Sequence, residues 1–421
     1  MGRNRRVHSS CACPRFMAQP LLAVDGIEVR RGMNVVLKGF NLTLHSGEVL
    51  ALTGENGAGK STLLEACARL LPLEQGQILH SDVVVADHEG RRRPTPLVIG
   101  LALQKNGMMG SEYVIEHLET AMSMSGHSID PLPFLAAFSM EHRAKDLIAH
   151  LSQGQARKIA VLAALLPAFA SKQPALILLD EPAAGMDDAS VSVLCEWIAQ
   201  LRTLGHAVMV CTHDQRLSTC ATTHVDVSTT KVTTVTPNEP TSKLETKPQP
   251  VKAISPTAFG WTMQWRTLAW LNHNAVASLL TLGVLLSFGD LLDDLDEMQR
   301  YGFLLAPAFA AGLCGEAMVQ ASREERTNAW WRAVANANPH SGILPLALGC
   351  LLTLLSTLSF TLVVEPSIVM VGGFVTFITW HTIRLLQEAT NRLARPRAVF
   401  VGLLTPILIL PYALLLDLLS R

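Results

Sequence analysis

The chain has 421 residues, a length that corresponds to two or three domains. Its formal net charge is −1, so it lacks the basic field with which proteins bind nucleic-acid phosphates, and we expect no nucleic-acid partner. Charged residues make up 16% of the chain, below the roughly 25% of soluble proteins, although the hydrophobic share of 49% is ordinary. These values predict two unlike halves, and residues 261–421, which have ten arginines and no lysine between long apolar runs, predict that the second half lies in a membrane.

The eight cysteines do not have the spacing of a zinc site, a covalent haem attachment or a disulfide framework. We therefore expect the soluble half to lie in a reducing compartment. Residues 1–20 contain several arginines but no apolar core, which favours a disordered basic tail over a signal peptide. Met17 is an alternative start of the protein.

Two short apolar runs, Leu22–Val24 and Ile27–Val29, predict strands on either side of a glycine turn. A third run, Val49–Leu52, predicts a buried strand that leads into a glycine-rich segment and then an apolar helix. That segment has the full pattern GxxxxGK followed by Ser or Thr, formed by Gly54, Glu55, Asn56, Gly57, Ala58, Gly59, Lys60, Ser61 and Thr62. Its place between a strand and a helix favours a phosphate-binding loop over a chance glycine turn.

The residue types of this loop suit a nucleotide. Glycines let backbone N–H groups close around phosphate oxygens, and the N-terminus of the following helix adds the positive end of its dipole. We expect Lys60 to reach the β- and γ-phosphates and the Ser61 hydroxyl to bind Mg²⁺.

A second buried strand, Ala175–Leu179, ends in two carboxylates, Asp180 and Glu181. The carboxyl edge of a parallel sheet is where nucleotides bind in such folds. We expect Asp180 to orient Mg²⁺ through water and Glu181 to act as general base on the attacking water. The alternative is an acidic pair on the surface.

The segment Leu151–Gln155 reads LSQGQ and resembles LSGGQ, the signature of the ATP-binding cassette (ABC) ATPases, with Gln153 in place of the usual glycine. Further motifs of that family are matched by Gln104 after a predicted strand, by Ala184–Asp187 after the acidic pair and by His213 after the strand Val208–Cys211. On these residues the chain is identified as a member of the ABC ATPases over residues 21–235.

The resemblance implies an α/β P-loop NTPase, an ABC cassette with a helical subdomain, that hydrolyses ATP with Mg²⁺. It implies a head-to-tail dimer in which the signature completes the neighbour's site, so the expected partner is a second copy or another ABC ATPase or permease subunit. The implied catalytic residues are Lys60, Glu181 and His213. The implied nucleotide contacts outside the phosphate loop are Gln104, Ser152, Gln153, Gly154, Gln155 and Asp187, and the implied Mg²⁺ ligands are Ser61, Gln104 and Asp180.

The family often stacks an aromatic on adenine near residues 30–32; here Arg31 either stacks through its guanidinium plane or base selectivity is loose.

Residues 236–258 are rich in proline and read as an extended, poorly ordered linker. The remainder, 259–421, predicts an all-α transmembrane domain of about five helices: an interfacial helix at 259–270, then spans near 272–289, 301–319, 343–364, 367–386 and 398–416. Arginines cluster in the second and fourth loops, so the positive-inside rule places these loops in the cytoplasm. We expect a multi-pass protein of the plasma or inner membrane with its ATPase domain in the cytoplasm.

The cassette also resembles the ATPase subunits of the cytochrome c maturation haem-export system, and the membrane half resembles the permease subunits of that system. The permease resemblance rests on Trp261–His273, Glu316–Arg332 and the last span, with Leu403–Pro411 its most specific part. It implies haem or a haem-handling protein as partner. Two alternatives stay open: export of a lipid, glycan or drug, and an ATPase that releases a membrane partner without transport.

Three features of the membrane half have a functional and a structural interpretation. His273, His340 and His381 are candidate haem ligands or structural histidines. The segment Ser322–Trp331 is either a transmission element between the ATPase and the membrane domain or a solvated loop. Glu316 is either a functional carboxylate within the membrane or a carboxylate at the membrane interface.

Overall fold

The computed structural model describes residues 19–237, 239–240, 246–252, 255, 263, 269–287, 296–313, 326–336, 343–360 and 364–390. The predicted tail (apart from its last two residues), nearly all of the interfacial helix and the last span lie outside these residues, as do Glu316 and His340. The chain forms two compact units. One combines Met1–Gln104 with Ala164–Gln249, and the other combines Lys105–Ala163 with Pro250–Arg421.

A six-stranded sheet forms the centre of the first unit. Its order is β11-β10-β3-β9-β8-β6, and all neighbouring strands are parallel except the β10–β11 pair. Every residue of β8 and β9 is buried, as expected for strands covered on both faces. The strands are β3 (Val49–Thr53), β6 (Val98–Ala102), β8 (Ala175–Asp180), β9 (Ala207–Cys211), β10 (Thr223–Asp226) and β11 (Val232–Thr234). The α/β fold predicted for this half is confirmed.

Helices α1 (Lys60–Cys67), α5 (Asp188–Thr203) and α6 (Gln215–Thr219) follow strands β3, β8 and β9 in the chain. Each begins just beyond the carboxyl end of its strand. The loops that carry the predicted phosphate and carboxylate residues therefore meet at one edge of the sheet.

A second, antiparallel sheet in this unit has the order β2-β1-β4-β5. Its strands are β1 (Pro20–Arg31), β2 (Asn34–His45), β4 (Gln75–His80) and β5 (Val83–Asp87). The prediction of two strands around a glycine turn is wrong, because β1 runs through Gly26 as one strand. Val24 pairs with Leu42 and Ile27 with Phe40, so the one extra residue of β1 beside Gly26 is absorbed as a bulge.

The second unit opens with a mostly helical region, in agreement with the expected helical subdomain. It contains α2 (Val114–Ser123), β7 (His127–Ser128), α3 (Leu132–Ala137) and the beginning of α4 (Gln153–Ala170). The described part of the predicted linker contains β12 (Gln249–Pro250), and the N–H of Val251 donates to the carbonyl of Gly126 at 3.0 Å.

The rest of the described chain in this unit is helical: α7 (Ala269–Ser287), α8 (Glu297–Leu313), α9 (Thr327–Ala335), α10 (Ile343–Phe360) and α11 (Pro366–Thr390). Four of these helices overlap the first four predicted spans. Among the described residues, two stretches are long and apolar enough to cross a membrane, Ile343–Phe360 and Pro366–Ile383. Five spans therefore stay a prediction.

Side chains in these helices are distributed unlike those of a soluble bundle. Many large apolar residues face outward, with Leu280 66% and Ile378 60% exposed, while others such as Leu352 and Trp380 are buried. Hydroxyl and glycine residues lie inside: Thr353 and Thr376 are fully buried, and a side chain on Gly349 would collide with Thr376. The Thr376 hydroxyl also donates to the carbonyl of Ala308 at 2.7 Å, which links α11 to α8. Close packing through small and hydroxyl residues with apolar residues outside is typical of helices in lipid.

Candidate functional site

The glycine-rich loop connects the end of β3 to the start of α1 and needs glycine for its shape. Gly54, Gly57 and Gly59 have φ of 127°, 87° and 98°, a region that side chains disfavour. A Cβ on Gly59 would also lie 2.9 Å from Cγ1 of Val36. The loop therefore wraps tightly ahead of the helix N-terminus, as a phosphate-binding loop does.

Lys60 holds this loop together. Its ammonium donates to the carbonyls of Gly54 at 2.7 Å and Glu55 at 2.9 Å, and the residue is buried. Both acceptors are neutral backbone groups, so these bonds leave the lysine charge available to an anion in the loop.

Ser61 and Asp180 form a pair between α1 and the end of β8. The Ser61 hydroxyl donates to Oδ1 of Asp180 at 3.1 Å, and Asp180 is only 1% exposed. A hydroxyl next to a carboxylate supplies the oxygen donors that Mg²⁺ prefers, and Gln104 lines the same cavity as Ser61. These residues fit a divalent cation.

Glu181 and His213 lie at the carboxyl ends of the neighbouring strands β8 and β9. Nε2 of His213 is 3.5 Å from Oε1 of Glu181, and the backbone N–H of His213 donates to Oε2 at 3.4 Å. Glu181 has a φ of 49°, and its own N–H donates to the carbonyl of Cys211 at 2.8 Å. A positive φ is unfavourable for a residue with a side chain, and backbone strain of this kind is concentrated at functional sites.

These residues surround a cavity of about 580 Å³. The predicted site residues that line it are Asn56, Gly57, Gly59, Lys60, Ser61, Thr62, Gln104, Glu181 and His213. Gly54, Glu55 and Ala58 shape the loop without lining the cavity, and Asp180 reaches it through Ser61. Val36, which the sequence interpretation missed, lines it from β2. No local pattern marks that valine, because its place depends on the fold.

Arg31 also lines the cavity, at the end of β1. Its Nη2 donates to Oε2 of Glu65 on α1 at 2.6 Å, and Glu65 is buried. This ion pair fixes the guanidinium at the rim of the cavity.

Asp187 does not line the cavity but caps the N-terminus of α5. Its carboxylate accepts the backbone N–H of Ser190 at 2.9 Å and the Ser190 hydroxyl at 3.0 Å, as a helix cap does.

The signature segment lies in the second unit, at the start of α4, and contributes nothing to the lining of the cavity. The N–H of Ser152 donates to the side chain of Gln155 at 3.0 Å, and the N–H of Gln155 donates to the Ser152 hydroxyl at 3.3 Å. This reciprocal cap leaves Ser152 and Gln153 exposed and Gly154 half-buried.

Comparison with known proteins matches residues 37–184 to the ABC transporter family. The cytochrome c biogenesis ATP-binding export protein CcmA of Albidiferax ferrireducens is 31% identical over 199 residues, which cover 47% of this chain and 91% of the relative. The ABC-type transporter ATP-binding protein EcsA of Bacillus subtilis is 30% identical, covering 46% and 77%. The zinc import ATP-binding protein ZnuC of Histophilus somni is 27% identical, covering 49% and 72%.

Proposed function

The chain belongs to the ABC transporter ATPases, which bind ATP with Mg²⁺ and hydrolyse it, and from that premise we propose that it is half of an ABC transporter whose membrane domain is fused to its ATPase. ATP hydrolysis would drive the export or release of a substrate at the plasma or inner membrane, with the ATPase domain in the cytoplasm. Two such halves, or this chain with another ABC ATPase or permease subunit, would form the working assembly.

The observation that carries this proposal is the burial of two tryptophans on α9. Trp330 and Trp331 are 1% and 0% exposed, although their short helix lies between the apolar helices α8 and α10 in the chain. Their rings pack on the ring of His117 in α2, with centroids 5.3 and 5.6 Å apart. These contacts join α9 to the helical subdomain that follows Gln104, which supports a link between the ATPase and the C-terminal half.

The surface that receives these rings is shaped for them. Gly107 approaches Trp330 so closely that a Cβ at position 107 would lie 2.7 Å from the indole. His117 is fixed by a buried carboxylate, since its Nδ1 lies 3.0 Å from Oε2 of Glu112. Rigid aromatic packing of this kind can transmit a displacement, because a close-packed contact does not deform gradually. We therefore interpret the Ser322–Trp331 segment, described from Arg326 onward, as the transmission element.

The helices beyond α9 support the membrane assignment. Their outward apolar residues would meet lipid, and their buried threonines and glycines would hold the helices together. Two stretches among the described residues, Ile343–Phe360 and Pro366–Ile383, are long and apolar enough to span a membrane, which supports this part of the proposal.

Within the ATPase site we assign roles by geometry. Lys60 would bind the β- and γ-phosphates from within the loop. Ser61, backed by Asp180 and joined by Gln104, would hold Mg²⁺, which supplies positive charge to neutralise the phosphates. Glu181 would accept a proton from the attacking water, and His213 would contact the γ-phosphate once it turns from Glu181.

The signature would act on a second molecule rather than on this one. Ser152 and Gly154 begin α4 with exposed or half-exposed backbone, so they can reach the phosphates bound to a partner. Asp187 would lie at the same interface.

For the substrate we propose haem or a haem-handling protein, because one relative serves cytochrome c biogenesis as an export protein. EcsA and ZnuC are nearly as similar, which keeps another exported substrate as the second candidate. His381 favours a structural role, since its ring packs edge-on against Phe377 and Trp380 at 4.3 and 5.0 Å. The side chain of His273 lies outside the part of the chain that the structure describes.

The test is the ATPase rate of the purified full chain, isolated with its native partners and measured over a range of haem concentrations. We expect haem to change the rate of the wild type and to leave Trp330→Ala unresponsive while its basal rate persists. An ATPase rate that ignores haem at every concentration would remove haem as substrate. Equal responses of wild type and Trp330→Ala would remove the transmission role.

A further inference from the structure

Arg216 lies in the first turn of α6, and all three nitrogens of its guanidinium head are engaged by carboxylates. Nε and Nη2 donate to the two oxygens of Asp214 at 3.1 and 2.7 Å. Nη1 donates to Oδ1 of Asp188 at 2.8 Å. Asp214 also accepts the backbone N–H of Arg216 at 2.8 Å, which caps α6. One planar group therefore joins the N-termini of α5 and α6.

The two carboxylates belong to loops that carry site residues. Asp188 is the first residue of α5 and follows Asp187, the cap of that helix. Asp214 follows His213, which contacts Glu181. Neither Arg216 nor Asp188 lines the cavity, so the bridge connects the two loops from outside the nucleotide site.

The bridge is too exposed to serve mainly for stability. The Asp188 side chain is 95% exposed, and ion pairs at such positions contribute little to the free energy of unfolding. The fork on Asp214 is more specific, because hydrogen bonds from the Arg216 guanidinium hold the pKa of that carboxyl below its ordinary value. A lysine could not make the same three contacts, since it lacks a planar head with separate donors.

We propose that Arg216 is a positioning residue for ATP hydrolysis. Its bonds to Asp214 and Asp188 fix the position of His213 relative to the Glu181–Asp187 loop. The inference rests on the role proposed above for His213. If that histidine must sit correctly at the γ-phosphate during turnover, loosening the bridge slows the chemical step and leaves nucleotide binding intact.

The experiment compares variants of the full chain in detergent or nanodiscs, with kcat, KM for ATP and thermal midpoint measured for each. Asp188→Asn removes one arm of the bridge at a fully solvated position, and Asp188→Glu preserves the carboxylate. Arg216→Lys keeps the charge without the fork. The control is Glu239→Gln, which breaks a pair of 2.9 Å between another exposed carboxylate and Arg202 at the far end of α5.

We expect Asp188→Asn and Arg216→Lys to lower kcat by about tenfold, with KM and thermal midpoint near the wild-type values. Asp188→Glu should recover most of the rate, and Glu239→Gln should behave as wild type. An unchanged kcat in Asp188→Asn and Arg216→Lys overturns the inference, as does a loss of rate that follows a lowered thermal midpoint or that Glu239→Gln shares. A wild type without ATPase activity would instead count against the proposed function.

Discussion

The imidazole Nε2 of His213 lies 3.5 Å from Oε1 of Glu181, across the carboxyl ends of two neighbouring parallel strands. The pair is held at its base by a backbone hydrogen bond of 2.8 Å from Glu181 to Cys211, so the strands set its spacing and the side chains face the cavity. His213 is therefore placed to move from Glu181 to the γ-phosphate when ATP binds, which would free the Glu181 carboxylate to act as the base.

Glu181→Gln should abolish ATP turnover while ATP binding persists. The amide keeps the size of the side chain but cannot accept a proton, and general-base catalysis contributes about 10²- to 10⁴-fold. Steady-state phosphate release and nucleotide binding by fluorescence check this. Normal turnover in the variant would contradict the role of Glu181.

Lys60→Ala should lose nucleotide binding rather than turnover alone. Its ammonium would donate charged hydrogen bonds to the β- and γ-phosphates, and two such bonds at about 1.5–3 kcal/mol each imply that affinity falls at least about 100-fold. Titration with a fluorescent ATP analogue measures the change. The exposed Lys38→Ala serves as control, and ATP affinity in Lys60→Ala equal to that of the control would contradict the prediction.

Arg31→Ala should raise KM for ATP by about three- to tenfold with little effect on kcat, if the guanidinium fixed by Glu65 stacks on the base. The neighbouring Arg30→Ala is the matched control, because Arg30 is equally exposed, pairs with Glu28 at 3.9 Å and does not line the cavity. Loose base selectivity would be favoured instead if the wild type had similar KM values for ATP and GTP and if Arg31→Ala did not change them.

Gly107→Ala should weaken the packing of Trp330 against the backbone at position 107. A methyl at this position both strains a backbone with φ of 74° and meets the indole at 2.7 Å. We expect the response of the ATPase to its substrate to fall while basal hydrolysis remains. Gly90→Ala has a similar φ of 79° with open space around it, so it controls for backbone strain alone. Equal loss of response in both variants would point to strain, not to the tryptophan.

Two buried histidines should make the first unit sensitive to acid. Burial lowers the pKa of His206 to about 4 and that of His80 to about 3, and Nδ1 of His206 accepts the N–H of Ala175 at 3.0 Å. Between these values and the ordinary pKa near 6.5 the unfolded chain binds the proton and the folded chain does not. Stability is therefore fully present above about pH 6.5 and is lost below it, by up to about 1.4 kcal/mol per pH unit for each histidine.

Thermal midpoints of the full chain between pH 7 and pH 5 measure this effect. His206→Gln should flatten the dependence, because it removes one of the two protons taken up on unfolding. The exposed His88→Gln should leave the pH dependence of the wild type unchanged. A pH profile that is identical in all three proteins would contradict the prediction.

The sequence alone determined the nucleotide site, because its chemistry is written in contiguous segments. The glycine spacing of the loop, the lysine and serine that follow, and the carboxylates that end a buried strand are local patterns, and parallel strands bring their carboxyl ends to one edge. The helical character of the C-terminal half was equally local, since runs of apolar residues reveal it.

Tertiary structure decided what depends on residues distant in the chain. Position 26 looked like a turn, but pairing with β2 on both sides keeps β1 continuous. Val36 lines the cavity, Arg31 pairs with Glu65, and Trp330 packs on His117 only because separate elements come together in the fold. Such contacts cannot be predicted from residue spacing, because they depend on the shape and charge of side chains that are far apart in the chain and meet only in the folded protein.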